Sequence, residues 1–130
     1  MSFLKKLFGR SADDGEDVEV PITLDVGRRR AQLTRLEKAL DALANEMRAE
    51  QSMDNPGWRA RVNEYSRLAG EAMALRQDTL TREALLDLVF EVRPVFSGAI
   101  PTGMEQIGPL QDEVLAAADE LRELLPGERG

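Results

Sequence analysis

Histidine and cysteine, the two residue types that carry much of enzyme chemistry near neutral pH, are both absent from this chain of 130 residues. Without histidine there is no side chain whose ordinary pKa suits proton transfer at pH 7, and the commonest transition-metal ligand is missing. Without cysteine there is no thiolate nucleophile, thiolate metal site or disulfide, a composition that fits a cytoplasmic protein. Chemistry is left to carboxylates, lysines, Tyr65 and hydroxyls. Glu46 and Glu50, and Asp119 and Glu123, lie four residues apart. On helices each pair shares a face and would supply half of a carboxylate metal site. The Glu-x-x-His element that completes such sites cannot occur here, so both pairs read as solvated helix faces. The chain holds no P-loop, G-x-G-x-x-G, G-x-S-x-G, H-E-x-x-H or EF-hand loop. We therefore expect a non-catalytic protein with no cofactor, no metal and no small-molecule substrate.

Binding chemistry is better represented. Phe3, Leu4, Leu7 and Phe8 alternate with Lys5, Lys6 and Arg10, and Gly9 interrupts the run. As a helix over residues 1–10 this segment is amphipathic, with apolar side chains suited to the acyl boundary and cations suited to anionic headgroups. The string Phe3-Leu4-Lys5-Lys6-Leu7-Phe8-Gly9 resembles the C-terminal membrane-targeting helix of the MinD family of bacterial division-site ATPases. The resemblance covers these seven residues alone, and the ATPase's P-loop has no counterpart. It implies a shared anchoring device in which Phe3, Leu4, Leu7 and Phe8 bury and Lys5, Lys6 and Arg10 meet lipid phosphates. One short anchor binds weakly, so attachment would need self-association or a membrane-bound partner. The alternatives for the same residues are docking on the rest of the chain or in a groove of a partner protein.

A second candidate is Phe96 with Ile100, two apolar residues in a Gly/Pro-rich stretch. They either plug the end of the core or anchor a partner, and the plug is the preferred reading. Arg28, Arg29 and Arg30, with Arg35 and Lys38, make a basic segment. Either an anionic partner or the acidic residues just upstream would balance it, and we favour the internal balance. Trp58 and Tyr65 read as core or turn-packing residues.

These candidates must be carried by helices. Residues 11–24 form an acidic linker and extended lead-in, with Asp13, Asp14, Glu16, Asp17 and Glu19 repelling one another around Gly15. Val26, Leu33, Leu36, Leu40, Leu43 and Met47 then recur at steps of three and four, broken only at Arg29, which predicts a helix from about Val26 to Gln51 capped by Thr23 or Asp25. Asp54-Asn55-Pro56-Gly57 is strong turn chemistry. A return helix is expected from Trp58 to Leu80, with small residues Ala69, Gly70, Ala72 and Ala74 permitting close approach. A third helix starts at Thr81 and ends before Pro94. As the most apolar segment, with Leu85, Leu86, Leu88, Val89, Phe90 and Val92, it is expected to be central. A loop follows, with a Thr102-to-Glu105 capping box, and a last helix from about Pro109, favoured by Asp112 and Glu113 near its start, is stopped by Pro126 and Gly127.

The fold expected is an all-α antiparallel helical bundle of about four helices, built on a long helical hairpin. Residues 1–10 form an amphipathic anchor, 11–24 a linker, 25–126 the bundle and 127–130 a tail. The net charge of −7 opposes nucleic acid binding. No apolar run reaches the length needed to span a bilayer, and no secretory signal is present. The function expected is a peripheral membrane adaptor or assembly factor on the cytoplasmic face of a membrane. Its partners would be an anionic membrane surface and another protein or a second copy of itself. The alternative is a soluble protein-binding subunit, small acidic chaperone or immunity protein whose apolar N-terminal segment inserts into a partner protein.

Overall fold

A computed structural model describes residues 23–50 and 53–128. The expectations for residues 1–10 and for the linker up to residue 22 lie outside the described residues. Those described form four helices and no strand. They are α1 (Val26–Ala49), α2 (Pro56–Gln77), α3 (Arg82–Phe90) and α4 (Ile107–Arg122).

Local chemistry sets the first three helix starts. Asp25, rather than Thr23, caps α1 by accepting from the Arg28 amide at 3.3 Å. Asn55 caps α2 by accepting from the Gly57 and Trp58 amides at 2.9 and 3.2 Å, and Pro56 occupies a first-turn position where its missing amide costs nothing. Thr81 caps α3 through the Ala84 amide at 3.1 Å.

The α1 seam Leu33, Leu36, Leu40, Leu43 and Met47 is fully buried, with Ala39 and Ala44 filling in beside it. It packs against α2 on one side and α4 on the other. Of the four small residues of α2 expected to permit close approach, Ala69 and Ala72 are buried, whereas Gly70 and Ala74 are exposed and play no part in it. Side-chain bonds fix the directions. Trp58, at the start of α2, donates from Nε1 to the Met47 carbonyl near the end of α1 at 2.9 Å, while Arg76 near the end of α2 reaches back to Thr34 and Glu37. Arg35 near the start of α1 pairs with Glu113 and Glu120 of α4, and Gln106 donates to Glu50.

One expectation is corrected here. The most apolar helix, α3, is not central. It packs on α4 and α2 and makes no close backbone approach to α1. With only nine residues, α3 buries one stripe, Leu85, Leu88 and Val89, continued just beyond its end by Val92, and leaves Phe90 65% exposed. A short helix presents one face to a core however apolar its composition. The central element is α1.

Candidate functional site

The loop after α3 carries Phe96 and Ile100, and its backbone is clamped from both sides. The Tyr65 hydroxyl donates to the Arg93 carbonyl, and Arg61 donates to the carbonyls of Pro94 and Val95 at 2.6 and 3.1 Å. From α4, the buried Gln111 accepts from the Phe96 amide at 2.9 Å and donates to the Phe96 carbonyl at 3.3 Å. One side chain thus satisfies both backbone groups of the residue it holds. Burial pushes the Tyr65 hydroxyl above its ordinary pKa, and Arg61 opposes the shift.

So held, the Phe96 ring tilts against Trp58 with centroids 6.2 Å apart and planes at 35°. Both rings line a shallow groove of about 410 Å³ with Asn55, Arg61 and Val95. Ile100 instead lies over α4. A Cβ on Gly108 would stand 2.8 Å from its Cδ1, so the glycine is what lets this side chain seat on the helix. Phe96 and Ile100 are both half-buried, facing different helices. The large apolar side chains most exposed among the described residues are Phe90, Leu124, Met73 and Val26.

At the opposite end of α1 is a site that the sequence reading did not anticipate. Arg29, which interrupts the apolar seam, has no solvent exposure. Its guanidinium grips the Glu128 carboxylate with two bonds of 2.8 and 2.5 Å. It also donates to Gln32 Oε1 and to the Glu120, Leu121 and Glu123 carbonyls that α4 leaves unpaired at its end. Arg82 adds bonds to the carbonyls of 121–123. Two arginines therefore finish α4, at Arg122 rather than at Pro126.

Pro126 and Gly127 have another task. The Glu128 amide bonds to the Leu125 carbonyl at 3.0 Å around a turn with Gly127 at φ +93°, the arrangement for which proline followed by glycine is suited. The turn brings Glu128 back to the core, where its carboxylate also accepts from the amides of Leu125 and Asp25 at 2.8 and 2.9 Å. Arg29 beside it, with those amides, holds its pKa down at about 2. Among the described residues the counter-ion of Arg29 is thus Glu128, from the far end of the described chain.

A third surface lies between α2 and α3, a groove of about 310 Å³ with apolar walls and carboxylates along its rim. At one end Arg67 pairs with Glu64, Glu71 and Glu91 together. The Arg67 side chain holds the Glu64 carboxyl below its ordinary pKa.

Among the described residues no group of three or more acidic side chains is arranged to hold a metal ion. One member of each carboxylate pair noted in the sequence is otherwise engaged: Glu50 accepts from Gln106, and Asp119 pairs with Arg122 at 3.2 Å. None of the described helices is long and apolar enough to cross a membrane. Phe3, Leu4, Lys5, Lys6, Leu7, Phe8 and Arg10 lie outside the described residues. Searches of protein-family models, curated proteins and solved structures returned no match to this chain.

Proposed function

We propose that this chain is a non-catalytic peripheral membrane adaptor. Residues 1–10 seat it on an anionic membrane surface, and an antiparallel four-helix bundle built on the α1/α2 hairpin receives a partner protein. The observation that carries the reading is a segregation of charge and apolarity along the sequence. The first ten residues hold three of the 17 cations, none of the 24 acids and the apolar side chains of Met1, Phe3, Leu4, Leu7 and Phe8. The rest of the chain is strongly acidic and would be repelled by anionic lipid. Attraction to such a surface is thereby confined to one short segment, with the acidic linker as a tether. The helical body supports the division of labour, because α1 to α4 fill a core and the starts of α1, α2 and α3 are capped by Asp25, Asn55 and Thr81. In a cell the protein would work on the cytoplasmic face of the membrane, by recruitment.

The alternative, a soluble subunit, small acidic chaperone or immunity protein, is favoured by one observation. Phe90 and Met73 are large apolar side chains left 65% and 43% exposed, as a protein-binding surface requires.

Co-sedimentation with vesicles separates the two. The intact chain is expected to pellet with phosphatidylglycerol-containing vesicles at low salt and not with pure phosphatidylcholine. The Phe3→Asp/Leu7→Asp variant is expected to lose more than about tenfold in partitioning, since two buried side chains each contribute on the order of 1.5–3 kcal/mol. No pelleting of the intact chain on either vesicle would sink the membrane reading in favour of the protein groove.

A further inference from the structure

We infer that the groove between α2 and α3 is a docking site for the chain's own residues 3–10, and that this contact withholds the anchor from the membrane. The withholding rests on the membrane reading above; the docking does not.

The groove suits a cationic amphipathic segment. Leu75 and Leu88 give it apolar lining, together with the small side chains of Ala74 from α2 and Ala84 from α3. Glu71 and Glu91 are already tied to Arg67 at one end. Asp78 and Asp87, on the rim, enter none of the ion pairs formed among the described residues. Lys5, Lys6 and Arg10 offer the opposite charge beside Phe3, Leu4, Leu7 and Phe8. The volume admits side chains and not a helix backbone. Phe3 and Leu7 are four residues apart in sequence, the spacing that in a helix would match the one turn between Ala84 and Leu88 of α3.

The chain also delivers the segment to the correct end. Arg76 bonds to Thr34, and Arg29 and Arg82 meet at the last carbonyls of α4. The start of α1, the end of α2 and the start of α3 therefore share one end of the molecule. Asp78, just past α2, and Ala84, in the first turn of α3, mark that end of the groove, the same end of the molecule at which residue 23 leads into α1. Residues 11–22 between them and the docking segment can extend to about 40 Å, several times the ~10 Å width of a helix. Their acidic side chains are themselves repelled from the groove rim, which leaves the cationic string as the part that enters.

The device would work by competition. Docked, the four apolar side chains are covered and the cations neutralised. An anionic surface, or a partner that fills the groove, releases them.

The chain has no cysteine, so Ser2→Cys provides a unique site for a nitroxide on the full chain. Without lipid, the nitroxide is expected to broaden the amide resonances of Ala74, Ala84 and Leu88, and Phe3→Asp/Leu7→Asp is expected to abolish the effect. Mixing labelled chain with isotope-labelled, nitroxide-free chain should give no broadening. Broadening only in the mixture would overturn the inference and assign the groove to a second copy; broadening elsewhere, or none, would overturn it outright. In a second arm, Asp78→Asn/Asp87→Asn should raise partitioning onto anionic vesicles by about three- to tenfold, the gain when most anchors start docked. Both aspartates are exposed, so the fold is not at risk. Intramolecular broadening in a chain that binds no vesicle would support docking while overturning the membrane reading; vesicle binding without broadening would do the reverse.

Discussion

Replacing Arg29 with methionine is expected to lower the free energy of unfolding by about 3–5 kcal/mol, the range for removing one partner of a buried ion pair. The cost arises because Glu128, whose side chain is wholly shielded from solvent, is left as an unpaired buried carboxylate, and because α4 loses bonds to its final carbonyls. Urea unfolding followed by circular dichroism measures it. Adding Glu128→Leu to Arg29→Met should recover part of the loss, since the penalty lies largely in the orphaned charge. The pair also sets a pH dependence whose sign is fixed. The folded-state pKa of Glu128 is depressed, to about 2 from an ordinary value of 4.5. Its contribution is therefore complete above the unfolded value and is lost as pH falls from about 5 toward 2. That loss is on the order of 2–3 kcal/mol. Glu128→Gln should remove this portion of the acid destabilisation while leaving the rest of the profile in place. A profile identical to that of the parent would contradict the assignment.

The second large effect contrasts two helices. Leu40→Ala in α1 is expected to cost about 2–5 kcal/mol, because Leu40 is wholly buried in the helix that packs most extensively on α2 and α4. Phe90→Ala in α3 should change stability by less than about 0.5 kcal/mol, as an exposed side chain away from the core does. Equal losses in the two variants would contradict the central place of α1 in the core.

That contrast marks the limit of what the sequence conveys. Helix starts were legible where the deciding chemistry is local. Thr81 satisfies an amide three residues away, a signal the sequence carries plainly; Asn55-Pro56-Gly57 reads as a turn before a helix at Trp58, whereas Asn55 caps α2 and Pro56 and Gly57 open its first turn. The α1 seam was legible for the same reason, because its period is written into consecutive residues. The end of α4 was not, because the groups that satisfy its carbonyls come from Arg29 and Arg82, which are 91 and 39 residues from Leu121 or its neighbour Glu120. Helix α4 also begins at Ile107, two residues before Pro109, so Asp112 and Glu113 fall beyond its first turn. Glu113 instead serves Arg35 across the α1/α4 interface, which lowers its pKa.

Arg29 was visible in the sequence as a gap in the seam. A cation in an apolar register demands a buried counter-ion, and Pro126-Gly127-Glu128 holds a turn that could supply one. Neither half identifies the other without the fold. The candidate loop was partly legible: Phe96 and Ile100 are half-buried, but the clamps that place them, Gln111 and Arg61, carried no sequence signal. The groove between α2 and α3 was illegible altogether, since its lining comes from two helices whose pairing only the fold decides.

The central claim is that the first ten residues carry this protein to an anionic membrane. Its most direct measurement places an environment-sensitive fluorophore at Ser2→Cys of the full chain and titrates vesicles. The account predicts a blue-shifted, brighter emission with phosphatidylglycerol-containing vesicles, reversed by high salt, and no change with phosphatidylcholine. An emission spectrum that stays constant with both lipids, in a chain shown to be folded, would contradict it.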